Sequence, residues 1–148
     1  MPKLHIAIDA NEANVTRRVG SNVYAFELIS HLEKLLRADD QIKVTVLLSQ
    51  KKIKDLPAER KNWRYLVLKP KKFWTRWAEP LHLFSQRNTY DVLFVAGHYG
   101  PVISPVPYVS CVMDLAYLYY PDQFRKRDLF QLKSWTKQSV KHAAKVVA

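Results

Sequence analysis

Apolar positions along the chain follow two kinds of pattern. Short, nearly unbroken apolar runs, several rich in β-branched residues, occupy 4–9, 42–48, 64–68, 90–95 and 108–113. Runs of this length predict strands that are covered on both faces. Between them the apolar spacing changes to three and four. Tyr24, Leu28, Leu32 and Leu35 predict a helix over 23–36, with Ser21 or Asn22 as its N-cap. Residues 73–88 read as a second helix, which Pro80 should kink or start. Residues 123–144 read as a long amphipathic helix whose inner face holds Leu129, Leu132, Thr136, Val140 and Ala143.

Strands alternating with helices predict an α/β fold: a Rossmann-like parallel sheet with helices on both faces. The 148 residues suit one domain, and no internal repeat divides them. The last residues, "KVVA", begin a further strand with no helix after it. Because domain boundaries usually fall in exposed linkers, the chain is expected to be one domain of a larger protein.

Composition narrows the class. Hydrophobic residues make up 48% of the chain, enough for a packed core. Cys111 is the only cysteine, so no internal disulfide can form; it lies in an apolar run and reads as a buried reduced thiol. No apolar run reaches the ~20 residues of a membrane span. The opening "MPKLHIAID" lacks the pattern of a signal peptide, so a cytoplasmic protein is expected.

The net charge is +11, and two segments hold the excess. Residues 51–77 carry 10 Lys/Arg against two acids, and residues 125–145 carry seven against one. Such segments suit a negatively charged partner, or else form solvated helix faces.

Parallel α/β sheets bind ligands beyond the carboxyl ends of their strands. After the first strand, Gly20, Ser21 and Asn22 precede a helix, where free N–H groups can meet a phosphate. The spacing matches neither G-x-G-x-x-G nor the G-x-x-x-x-G-K-[ST] loop, and on spacing alone a turn glycine with an N-cap is the commoner explanation. Past the strand at 90–95, His98 can act as a base or bind a hydroxyl, and Tyr99 can stack on a ring. Asp114, at the end of "YVSCVMD", can accept substrate hydroxyls or cap the next turn. Zinc-ligand spacings, H-E-x-x-H and G-x-S-x-G do not occur.

Several segments, in order, resemble one family. "IAIDANEANVTRRVGSNVYAFELISHL", "TRWAEPLHL", "YDVLFVAGHYGPVISPVPYVSCVMDLAYLYYPDQF" and "AAKVVA" are similar to the N-terminal half of retaining glycosyltransferases of the GT-B fold, the family 4-like or group 1 type. In that family two Rossmann-like domains face each other across a cleft. The resemblance implies that residues 1–148 form the acceptor-side domain and that a donor-binding C-terminal domain is absent from this chain. It implies transfer of a sugar from a nucleotide-sugar to a glycan or lipid-linked acceptor, with no cofactor beyond that substrate. It casts His98 and Asp114 as catalytic, and Gly20, Ser21, Asn22 and Tyr99 as substrate contacts. Residues 51–77 would rest on an anionic membrane surface, and the isolated chain would be inactive.

Two positions depart from the family pattern. Asn22 stands where a second glycine is common, and Met113 stands where the family has the histidine of V-H-D-L. Methionine has no proton to share and only a weak acceptor. Either His98 substitutes, the substrate differs, or the site is impaired. The rival readings are a basic nucleic-acid-binding α/β module and a non-catalytic partner subunit of a glycosyltransferase.

Overall fold

The computed structural model describes residues 3–148; Met1 and Pro2, which open the stretch without a signal-peptide pattern, lie outside the described residues. Six strands form one sheet: β1 (Leu4–Asp9), β2 (Ile42–Leu48), β3 (Trp63–Val67), β4 (Val92–Val95), β5 (Tyr108–Cys111) and β6 (Lys145–Val147). Their order is β3-β2-β1-β4-β5-β6, and every neighbouring pair is parallel. The fold is therefore the expected α/β, Rossmann-like one. "KVVA" does supply a strand, paired to β5 from Val109 to Cys111.

The helices are α1 (Ser21–Leu35), α2 (Ala78–Ser85), the single turn α3 (Ala116–Tyr119) and α4 (Lys126–His142). Alternate residues of each strand feed two cores. On one face Ile8, Val44, Val46 and Leu48 pack with Ala25 and Ile29 of α1. On the other, Ala7, Leu47, Leu93, Val95 and Tyr108 pack with Ala78 and Leu83 of α2, and Ala143 packs against them just past α4. Covering both faces is what makes the strands read as unbroken apolar runs.

Several expectations about the helices are corrected. α1 does not bury the Tyr24–Leu35 stripe: both of those residues are exposed, and Ala25, Ile29 and Glu33 point inward. Glu33 tolerates burial because Arg37 and Arg60 both pair with its carboxylate, at 2.8 and 2.9 Å. Neither Ser21 nor Asn22 is the N-cap; Gly20 is, without a side-chain bond to the helix.

The second helix spans only eight residues. Pro80 is its third residue, where a missing N–H removes no intrahelical bond. The third predicted helix is α4, which starts three residues later than expected, and α3 and a 3₁₀ turn at Pro121–Gln123 precede it. On α4, Thr136 and Ser139 are buried while Val140 is exposed. The Ser139 carbonyl accepts the Tyr108 hydroxyl at 2.7 Å, and its Oγ accepts the Gly100 N–H at 2.8 Å. Of the expected inner face Thr136 is buried and Leu129, Leu132 and Ala143 are half-buried, and the Ser139 bonds add to their packing. Residues 51–62 form loop, not a solvated helix face.

Candidate functional site

From β1 the chain builds outward through β2 to β3, and from β4 outward the other way through β5 to β6. The sheet order thus reverses between β1 and β4. Loops leaving the carboxyl ends of those two strands diverge there and open a crevice, the usual ligand position in this architecture. A cavity of about 360 Å³ occupies that position. Asp9, Asn11 and Glu12 reach it from β1, and Gly97, His98 and Tyr99 from β4. Trp74 and Thr75 before α2 and Gln131 and Trp135 of α4 close its sides.

Asp9 is the last residue of β1 and is buried. Its Oδ1 accepts the Asn11 backbone N–H at 3.1 Å and the Asn11 amide at 3.0 Å. Asn11 in turn accepts the Ser49 N–H at 2.7 Å, which ties the ends of β1 and β2 together. Burial pushes the Asp9 carboxyl up to about 7; Asn11 opposes this and the nearby Glu12 adds to it. On α2, Glu79 is 0% exposed and neither carboxyl oxygen has a hydrogen-bond partner among the described residues. Burial, reinforced by Asp9, raises its pKa well above the usual range and disfavours its charged form.

Glu12 crosses from this crevice toward α1. Its carboxylate accepts the Asn22 amide at 2.6 Å and the Ser21 hydroxyl at 3.1 Å. The Glu12 side chain lies against Gly97, where a Cβ would sit 2.8 Å from the Glu12 Cγ. A side chain at 97 would therefore displace Glu12. Gly20 is constrained differently. Its φ of 49° favours glycine, yet a Cβ there would meet nothing within 4 Å, so open space lies above it.

That space belongs to a second cavity, of about 410 Å³, lined by Gly20, Ser21, Tyr24, Cys111, Met113 and Asp114 among others. The six residues singled out from sequence therefore fall in two groups. His98 and Tyr99 share the β1/β4 crevice, and Gly20, Ser21 and Asp114 share the second cavity with Met113. Asn22 joins the groups through Glu12. His98 and Met113 line different cavities. Asp114 uses Oδ1 to accept the Ala116 N–H at 2.9 Å, the capping bond that was one of its two sequence readings. Ser21 and Asn22 hold a carboxylate at the start of α1, where a phosphate had been expected.

The crevice has an aromatic wall. Tyr99 meets Trp135 edge-on at 5.2 Å, and the Arg76 guanidinium lies 4.4 Å from the Trp135 ring. Burial first, then Glu12 and other neighbours, pushes the Tyr99 phenol up to about 12, so its hydroxyl remains a donor. Lys71, Lys72 and Arg127 also line this cavity. The two basic segments, distant in sequence, converge on one crevice.

Asp9, Asn11, Glu12, Glu79 and Trp135 were not singled out as site residues from sequence. The available signal was "LHIAID", a buried strand ending on an acid at a carboxyl end. Among the described residues no group of three or more His, Cys, Asp or Glu is placed to hold a metal, and no helix is long and apolar enough to cross a membrane. No protein-family model, curated protein or solved structure matches the chain.

Proposed function

We propose that this chain is the acceptor-side domain of a retaining GT-B glycosyltransferase, with the β1/β4 crevice as its acceptor site. The observation that carries the reading is the composition of that crevice. Carboxylate and amide groups at the strand ends suit sugar hydroxyls, and the Tyr99–Trp135 wall suits the apolar face of a sugar ring. The ordered sequence resemblance supports the same class. In this reading the second cavity, with Gly20, Met113 and Asp114, faces the nucleotide-sugar held by a donor domain.

An anionic membrane surface is the proposed site of work. Leu81 and Phe84 of α2 and its N-cap Trp77 lie at helical spacing, all exposed, with Phe73 one turn earlier. Lys69, Lys71, Lys72 and Arg76 flank them. Exposed aromatic and aliphatic side chains beside cations suit the headgroup region of an anionic bilayer.

The test is glycan binding and turnover. The chain should bind oligosaccharides in the crevice, and it should transfer no sugar from a panel of nucleotide-sugars by itself. Turnover by the isolated chain would overturn the division of labour. Met113 favours one second reading, a non-catalytic partner subunit. A large gain in transfer from Met113→His in a protein carrying both domains would support impairment, and a loss would assign Met113 to a working pocket.

A further inference from the structure

The crevice holds more positive charge than a site for neutral sugars needs. Lys71 and Lys72 come from the first basic segment and Arg127 from the second, and all three line one cavity. Cations that only keep a protein soluble spread over its surface. These three meet at the carboxyl end of the sheet instead.

None of the three is held in an ion pair among the described residues. Arg18 is paired with Asp55, and Arg37 and Arg60 with Glu33. Lys71 donates to the neutral Gln50 amide oxygen at 2.7 Å. The two acids that line the same cavity are engaged elsewhere: Asp9 accepts from Asn11, and Glu12 from Ser21 and Asn22.

The rim is unusual too. Phe73 is 53% exposed, lines the same cavity and has a φ of 55°, a backbone region costly for a residue with a side chain. Trp77, 60% exposed, donates its backbone N–H to the Phe73 carbonyl. Cations and an apolar lip therefore lie side by side at the mouth.

We propose that the crevice takes an acceptor bearing a phosphate group, with Lys71, Lys72 and Arg127 on the phosphate and Asp9 and Asn11 on the attached sugar. This rests on the glycosyltransferase reading and names its acceptor class. Phosphate oxygens match two ammonium groups and a guanidinium, which binds such oxygens in pairs. The aromatic wall then supports the sugar ring next to the charged edge.

The experiment uses the full 148-residue chain with three probes: inorganic pyrophosphate, a neutral oligosaccharide, and neutral phosphatidylcholine vesicles with or without a polyprenyl diphosphate. Binding is followed by NMR shifts of the Trp135 indole and the Gly97 amide, and by vesicle co-sedimentation. Saturable pyrophosphate or polyprenyl diphosphate binding is expected, weakening as salt rises. Lys71→Ala with Lys72→Ala, and separately Arg127→Ala, should each weaken it at least about tenfold. Neutral oligosaccharide binding should change little in these variants.

Soluble pyrophosphate binding equal to that of the vesicles assigns the phosphate to a free sugar phosphate. Binding confined to polyprenyl diphosphate vesicles, and lost in Phe73→Ser, assigns it to a lipid-linked acceptor. Failure of both phosphate probes, or binding indifferent to all three cations, overturns the proposal. If the oligosaccharide still binds in that case, the glycosyltransferase reading survives without it. If phosphate binds and no oligosaccharide does, that reading fails instead.

Discussion

Asp9 and Glu79 show how burial sets chemistry at single residues. Native Asp9 keeps its proton up to about pH 7, whereas an unfolded aspartate releases it near ~3.9. The native state binds more protons across that window, so this group makes stability fall as pH rises from about 4 to about 7. Glu79 acts in the same direction, and its neighbouring charges are Asp9 and, through Asp9, Glu12. Asp9→Asn and Glu79→Gln should therefore gain thermal stability relative to the parent as pH rises through that range. Melting temperatures measured from pH 4 to 8 check this; about 2–4 °C accompanies each 1 kcal/mol of relief. A parent-like pH profile in both variants would contradict the burial argument. Tyr108 gives a simpler case. Tyr108→Phe removes one of the two donors to the Ser139 carbonyl, leaving the Ala143 N–H, and should cost about 0.5–1.5 kcal/mol by denaturant titration.

At the scale of elements, legibility mostly followed burial. The central strands β1, β2, β4 and β5 were readable because helices cover them on both faces, while β3, displaced by one residue, and β6 were readable from their β-branched and apolar residues although largely exposed. Helix faces were less readable. The inward stripe of α1 includes Glu33, and no apolar periodicity announces a glutamate whose partners are Arg37, four residues on, and Arg60, on a distant loop. On α4 the sequence reading placed Thr136 inward but missed Ser139, which is buried through its bonds to Gly100 and Tyr108. The crevice was partly legible. A strand ending in Asp9 marked the place, but the approach of Glu12 to Gly97 and the placing of Lys72 and Arg127 around one cavity depend on tertiary folding. The outer side of α2 yields a prediction of its own. Trp77→Ser combined with Leu81→Ser should reduce co-sedimentation with anionic vesicles several-fold while leaving the melting temperature close to the parent's, because both side chains are exposed. Unchanged co-sedimentation would remove α2 from the membrane surface.

On the scale of the whole molecule, the sheet order decides where function concentrates. Reversal between β1 and β4 opens one crevice, and residues from both halves of the chain supply its acids, amides, aromatic wall and cations. The basic segments, which in sequence suited a nucleic acid as well as a membrane, contribute three of their cations to that bounded cavity. A cavity suits a compact ligand better than an extended strand. The central claim is that this crevice binds a sugar. Its most direct test is an NMR titration of the isotopically labelled chain with a library of oligosaccharides. The account predicts saturable shifts at Asn11, Gly97, His98 and Trp135, abolished by Trp135→Ala and weakened about tenfold or more by Asn11→Ala. Binding of oligosaccharides at another surface, or binding of generic RNA in the crevice with no response to any oligosaccharide, would contradict it.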